Sequence, residues 1–182
     1  MKFRDQLITL FALILVAVLG WTWLAPTGLQ KAPDVQFSTL DGRSIKLTEL
    51  RGRPVLITFW ATTCTSCMKE MPHLISLYRE LAPRGLEIIG VAMGYDPIND
   101  VIALSKNRQI PYPIAHDTHN KAALAFGDVR LTPTNILIAP DGRIVQQNIG
   151  ETDMMQMRTK ILAMLEQSKI LVSVLTFGKA SS

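Results

Sequence analysis

Cys64 and Cys67 are the two cysteines of the sequence, and they form a C-x-x-C motif. A thiolate is the nucleophile of thiol–disulfide exchange, and a second thiol one helical turn away can attack the resulting mixed disulfide. The spacing therefore supplies both groups that this exchange requires. We interpret Cys64 as the nucleophile and Cys67 as the resolving cysteine.

The motif lies between a predicted strand and a predicted helix. Residues 55–60 (VLITFW) form a short, continuous apolar run that is typical of a strand buried on both faces. Apolar residues then recur at helical spacing from Met68 to Leu81. A helix N-terminus carries a partial positive charge, which lowers the pKa of a cysteine placed there. We predict that Cys64 occupies this position.

Two other interpretations of the cysteine pair are a permanent disulfide and a metal site. A disulfide that closes so small a loop removes little chain entropy, and two thiols are too few for a four-thiolate zinc site. His73, His116 and His119 lack zinc-finger spacing relative to the cysteines. We favour the redox interpretation and predict no metal and no cofactor.

The remaining pattern predicts an α/β fold with helices on both faces of a mostly parallel sheet, to which the terminal hairpin adds antiparallel strands. An N-terminal β-hairpin is predicted around Asp41-Gly42 and a second hairpin around residues 140–142. Strands and helices alternate between these two hairpins. A final helix is predicted from its N-cap, Asp153, to about Gln167.

The apolar surplus of the chain lies near its N-terminus. Mean hydropathy is +0.21, and 48% hydrophobic with 19% charged residues excludes a disordered chain. Residues 7–24 carry no charge and follow Lys2 and Arg4, which predicts a membrane helix with a cytoplasmic N-terminus. A cleaved signal peptide is the alternative.

These features predict four segments. Residues 1–25 form a signal-anchor helix, 26–33 a linker, 34–168 an exported domain and 169–182 a tail without an assigned role. The net charge is +4, and the basic residues are scattered. We therefore predict no nucleic-acid binding.

The chain from about residue 32 to 166 resembles thioredoxin-fold proteins of the TlpA/ResA type, a redoxin-like group of membrane-anchored thiol–disulfide oxidoreductases. The resemblance rests on five segments: 33–52 (PDVQFSTLDGRSIKLTELRG), 59–61 (FWA), 67–72 (CMKEMP), 132–134 (TPT) and 139–145 (APDGRIV). It implies a thioredoxin-like fold with an N-terminal β-hairpin and a central insertion.

The resemblance also implies roles for residues near the cysteines. Pro133 matches the family's cis-proline, Thr132 supplies a backbone contact to substrate, and Trp60 forms a wall of the site. From the residues alone, Thr-Pro before a strand is a turn signal, and the cis and trans forms both remain open.

Of the polar residues near the cysteines, only Asp96 is a further candidate for the site. Thioredoxins proper carry a buried acid at the position of Thr58. Asp96 matches a proton-handling acid of cytochrome-c-maturation relatives, although we favour a solvated turn or N-cap aspartate. We expect Glu70 to cap or pair on the helix surface, without a direct catalytic role.

The implied function is the reduction of disulfides in exported proteins, with apocytochrome c as one substrate class. The domain would lie on the periplasmic side of the bacterial inner membrane and receive electrons from a membrane thiol donor. A thiol peroxidase is one alternative, but Ala61 stands where peroxiredoxins carry a threonine, three residues before the reactive cysteine. A copper-binding or chaperone module is the other alternative, because thiolates suit copper(I).

Overall fold

A computed structural model describes residue 15 and residues 30–179, with only the backbone described for residues 169–179. The predicted membrane helix at residues 1–25 lies outside the described residues. Within the described part of the chain, no helix has both the length and the apolar character needed to cross a membrane. Lys31 bridges to Arg143, and the Ala32 N–H donates to the Gly142 carbonyl. Residues 31 and 32, within the predicted linker, therefore contact the turn at residues 142–143.

The predicted elements are found, with small differences at their ends except for the last helix. The strands are β1 (Gln36–Ser38), β2 (Ser44–Lys46), β3 (Val55–Trp60), β4 (Glu87–Met93), β5 (Ile114–Asp117), β6 (Thr134–Ile138) and β7 (Ile144–Ile149). The helices are α1 (Thr65–Leu81), α2 (Ile98–Asn107), α3 (Lys121–Ala125) and α4 (Met154–Lys179), with 3-10 turns at Leu47–Leu50 and Ala82–Arg84.

Helix α4 is longer than predicted. The Asp153 side chain caps it by accepting from the N–H groups of Met155 and Gln156, both at 3.0 Å. The helix continues to Lys179 instead of ending near Gln167. Residues 168–177 contain neither glycine nor proline, so nothing in the local sequence interrupts the helix there.

The main sheet is mixed, with the antiparallel terminal hairpin that we predicted and a further antiparallel pairing of β3 with β6 that we did not. Its strand order is β5-β4-β3-β6-β7. Strand β3 is parallel to β4, and β4 is parallel to β5, but β6 is antiparallel to both β3 and β7. The apolar run of β6 identifies a buried strand without indicating its direction, which explains the difference.

Two hydrophobic cores cover the faces of the sheet. Leu56 and Trp60 of β3 pack on the first face with α1, α2 and α4, whereas Ile57 and Phe59 pack on the second face with the N-terminal hairpin and α3. This alternation follows from the two-residue period of a strand. All six residues of β3 are buried, as predicted. Strand β3 therefore gives the following C-x-x-C motif a rigid base.

Candidate active site

Cys64 and Cys67 form a disulfide, with an S–S distance of 2.09 Å and a Cα–Cα distance of 5.2 Å. Cys64 is the N-cap of α1, and its Sγ accepts a hydrogen bond from the Cys67 N–H at 3.1 Å. The predicted N-cap position is confirmed. An unpaired backbone donor thus points at the sulfur that carries negative charge when the bond is open.

The two sulfurs differ in accessibility. Cys64 is half-buried, whereas Cys67 is 3% exposed. An incoming sulfur can therefore reach Cys64 first, while Cys67 stays protected beneath it. This difference matches the roles of nucleophile and resolving cysteine.

A cavity of about 10 Å³ lies behind Cys67. Its lining combines the predicted Trp60 and Pro133 with residues from β3, α1 and the start of β5: Thr58, Trp60, Cys67, Glu70, Met71, Leu74, Tyr112 and Pro133. Trp60 is 3% exposed, so it forms the inner wall of the site. Its indole Nε1 has no hydrogen-bond partner among the described residues.

Glu70 also lies in this cavity, and our expectation of a surface position was wrong. The residue is 6% exposed, and its Oε1 accepts a hydrogen bond from Asn135 Nδ2 at 2.9 Å. Its Oε2 is buried without a partner among the described residues. Burial raises the pKa of Glu70, although the hydrogen bond from Asn135 and the nearby Thr152 hydroxyl oppose that rise.

The helical spacing explains this position. Glu70 follows Cys67 by three residues, so both side chains lie on the buried face of α1. Thr58 lines the same cavity from β3. The cavity therefore contains a carboxyl group from α1, Glu70, whereas β3 contributes a threonine, Thr58, to the same cavity.

Asp96 lies on the other side of the redox pair, and the solvated interpretation that we favoured is also wrong. It is 2% exposed and accepts hydrogen bonds from the Thr62 N–H and the Thr62 hydroxyl, both at 2.6 Å. It is not an N-cap, since Pro97 holds that position of α2. The structure places Asp96 beside the loop that leads to Cys64 and not in the cavity of Cys67.

Thr132 and Pro133 are joined by a cis peptide bond, as the resemblance implied. Pro133 is buried against the cavity, and Thr132 is half-buried. Leu131 and Ile149, each 64% exposed, lie next to this segment: Leu131 precedes Thr132, and Ile149 pairs with Thr134. An exposed apolar surface therefore lies beside Pro133.

Among the described residues, no group of three His, Cys, Asp or Glu side chains could hold a metal ion.

Comparison with known families gives a match over residues 29–147 to the AhpC/TSA family. The chain belongs to the AhpC/TSA family. The thiol-disulfide oxidoreductase ResA of Geobacillus thermodenitrificans is 34% identical over 154 residues, which is 79% of this chain and 87% of that protein. ResA of Bacillus subtilis is 31% identical over 146 residues, covering 76% of this chain and 80% of that protein.

The solved structures include a similar fold in a thiol:disulfide interchange protein of the thioredoxin family from Chlorobium tepidum. The TM-score is 0.68 at 23% identity, and the match covers 75% of this chain and 96% of that one. This similarity confirms the thioredoxin-like α/β fold. Together with the ResA homologues and the Cys64–Cys67 pair, it identifies this AhpC/TSA family member as a thiol–disulfide oxidoreductase that acts by dithiol exchange.

Proposed function

We propose that this oxidoreductase reduces disulfide bonds in exported proteins of the bacterial cell envelope. The observation that carries the proposal is the asymmetric pair: Cys64 is half-buried at a helix N-terminus, and Cys67 is buried directly behind it. A reductase of folded or unfolded chains needs one accessible sulfur for attack and one protected sulfur for resolution.

The exchange runs in two steps that conserve atoms and electrons. The Cys64 thiolate attacks one sulfur of the substrate disulfide, and the other substrate sulfur leaves as a thiolate that takes up a proton. The Cys67 thiolate then attacks Cys64 Sγ and releases the second substrate thiol. Two electrons have moved from the protein to the substrate, and the protein holds the Cys64–Cys67 disulfide.

The surroundings of Cys67 support the reductive direction. The cavity is mostly apolar and contains the Glu70 carboxyl, so a thiolate on Cys67 gains little stabilisation there. A site that gives a thiolate little stabilisation does not favour the reduced form, and a protein that does not favour its reduced form donates electrons to others.

The exposed apolar residues beside Pro133 support a polypeptide substrate, and the N-terminal sequence supports a location at the inner membrane. Leu131 and Ile149 present apolar side chains beside Pro133, which suits an extended polypeptide such as an apocytochrome c that has not yet folded. The uncharged residues 7–24 behind Lys2 and Arg4 suit a single anchor in the inner membrane. A thiol donor in that membrane would restore the dithiol after each turnover.

Trapping of substrates by Cys67→Ser tests the proposal. Without the resolving sulfur, substrates remain joined to Cys64 as mixed disulfides, which can be purified from envelope extracts and identified by mass spectrometry. We expect exported proteins with paired cysteines. The control is Cys64→Ser/Cys67→Ser, which lacks the attacking sulfur and should trap nothing. An empty trap combined with rapid consumption of hydrogen peroxide by the wild type would favour a peroxidase.

The reduction potential tests the direction. Equilibration with glutathione or dithiothreitol should give a value near that of thioredoxin, about −270 mV. A value near about −120 mV, as in strong oxidants of this fold, would contradict the reductive direction while leaving the exchange chemistry intact.

A further inference from the structure

The loop between β3 and α1 is anchored to the β4–α2 loop by two hydrogen bonds of Thr62. Thr62 lies two residues after Trp60 and two residues before Cys64. Its backbone N–H donates to Asp96 Oδ2 and its hydroxyl donates to Asp96 Oδ1, each at 2.6 Å. Both oxygens of one buried carboxylate therefore hold the same residue, which restrains its backbone and its side chain together.

Asp96 is itself fixed by β4 and β5. Its N–H donates to the Met93 carbonyl at 3.0 Å. Its carbonyl lies 2.8 Å from His116 Nε2, and a carbonyl oxygen can only accept, so Nε2 carries the proton. His116 Nδ1 lies 2.9 Å from the Thr118 hydroxyl, which fixes the ring on its other side. The carboxylate that holds Thr62 is thus tied to two strands of the sheet.

We propose that Asp96 is a positioning residue for dithiol exchange, which holds Thr62 so that Cys64 Sγ stays at the N-terminus of α1 after the disulfide opens. The inference rests on the exchange activity of the cysteine pair and not on its direction, substrate or location.

The reduced protein is the state in which this restraint matters. In the oxidised protein, the bond to Cys67 holds Cys64 Sγ in place. Once that bond opens, the remaining restraints on the loop include the hydrogen bond from the Cys64 N–H to the Ala61 carbonyl, at 3.1 Å, and the two bonds from Thr62 to Asp96. Small displacements of a nucleophile have large effects on its reaction rate.

A positioning role and a purely electrostatic role predict opposite changes in the Cys64 thiol. A negative charge near a thiolate disfavours the thiolate, so a role through charge alone means that removal of the charge lowers the pKa of Cys64. A role through position means that loss of the anchor moves Sγ away from the backbone donors of α1. In that case the pKa of Cys64 rises.

Asp96→Ala and Asp96→Asn separate these two roles. Alanine removes both the charge and the anchor. Asparagine removes only the charge, since its Oδ1 can accept from the Thr62 N–H while its Nδ2 donates to the Thr62 hydroxyl. Asp100→Asn is the matched control, because Asp100 is an exposed aspartate in the first turn of α2.

The measurement is the pH dependence of Cys64 alkylation in the reduced protein, together with the reduction potential. For Asp96→Ala we expect a raised pKa of Cys64, a lower reduction potential and alkylation at neutral pH slowed by about tenfold. Asp96→Asn should restore values near those of the wild type, and Asp100→Asn should leave them unchanged. A lowered pKa in both Asp96 variants would overturn the proposal in favour of charge alone.

The unfolding midpoints of the oxidised and reduced forms provide the remaining control. Positioning predicts that Asp96→Ala destabilises the reduced form more than the oxidised form. Equal destabilisation of both forms, with the pKa and the potential unchanged, would also overturn the proposal. If Asp96→Ala does not fold, Thr62→Val carries the test, because it loses the hydroxyl bond and keeps the backbone bond; its Cys64 pKa should rise by a smaller amount. These readouts use the protein's own thiol, so they remain valid even if the substrate trap stays empty.

Discussion

Two buried carboxylates flank the redox pair, and their hydrogen-bond donors differ. Glu70, behind Cys67, receives one bond from Asn135 at Oε1, and its Oε2 has no partner among the described residues. Asp96, beside the loop to Cys64, receives bonds from Thr62 at both oxygens. Glu70 therefore keeps one carboxyl oxygen without a hydrogen-bond donor among the described residues, whereas Thr62 donates to both oxygens of Asp96.

Burial and the placement of hydrogen-bond donors give the two carboxylates different properties. Glu70 lies in an apolar cavity where desolvation raises its pKa, so it can hold or take up a proton near neutral pH more readily than an exposed glutamate. The two oxygens of Asp96 accept hydrogen bonds from the backbone N–H and the hydroxyl of one loop residue, Thr62. We therefore expect Glu70 to exchange protons with Cys67, and Asp96 to hold the loop that positions Cys64.

The largest effect that we expect is on the resolution step in Glu70→Gln. Cys67 must lose its proton before it attacks Cys64, and Glu70 is the carboxyl group of its cavity. Glutamine preserves the volume and the bond from Asn135 but cannot accept the proton. We expect release of substrate from a preformed mixed disulfide on Cys64 to slow by about a hundredfold, as measured by stopped flow.

Glu151→Gln is the control for this variant. Glu151 is an exposed carboxylate that acts on Glu70 electrostatically but does not line the cavity. Its replacement therefore tests the effect of a nearby negative charge alone. Its rate should remain close to that of the wild type. Equal rates for Glu70→Gln and wild type would show that Glu70 does not take the proton of Cys67. Glu70 and Asp96 would then not differ in function.

The fold and the cysteine chemistry were predictable because their signals are local. The apolar run of β3, the turn residues at Asp41-Gly42 and the helical spacing after Cys67 each define an element without reference to the rest of the chain. The direction of β6 relative to β3 was not predictable, because no local signal indicates which strand of the sheet β6 pairs with. The extension of α4 to Lys179 was missed because we ended the helix near Gln167 and assigned residues 169–182 to a tail without a role.

The two carboxylates were harder to predict, since burial is a property of the assembled fold. Glu70 had one usable signal: its spacing of three residues from Cys67 places it on the buried face of α1. Asp96 had none of this kind. Its partner Thr62 is 34 residues away in sequence, and the contact arises only when β3 and β4 pair in parallel.

A smaller effect is expected from Thr152→Val, which alters Glu70 through Asn135. Asn135 Nδ2 donates to both Glu70 Oε1 and Thr152 Oγ1, each at 2.9 Å. The Thr152 hydroxyl helps to lower the pKa of Glu70, so valine should raise that pKa and move the pH profile of resolution to higher pH. The rate at neutral pH should change by no more than about fivefold, as for the loss of one neutral hydrogen bond. An unchanged profile would separate Thr152 from the function of Glu70.

The smallest effect that we expect is on the pH dependence of stability in the oxidised protein. The pKa of Glu70 is raised above its ordinary value of 4.5, so between that value and the raised pKa the folded protein binds more protons than the unfolded chain. The stability of the wild type relative to Glu70→Gln should therefore be greatest below pH 4.5, fall as the pH rises through the raised pKa, and then stay constant. Denaturant unfolding of both proteins from acidic to neutral pH measures this difference.

Glu80→Gln supplies the opposite sign for comparison. The Arg158 guanidinium lowers the pKa of Glu80, so the stability that this pair contributes is present above pH 4.5 and is lost as the pH falls through the lowered pKa. Because Glu80 lies at the surface, screening by solvent keeps that slope shallow. A Glu70 difference curve that instead rises with pH would mean that the carboxylate is stabilised in its cavity. Cys67 would then need another group to take its proton.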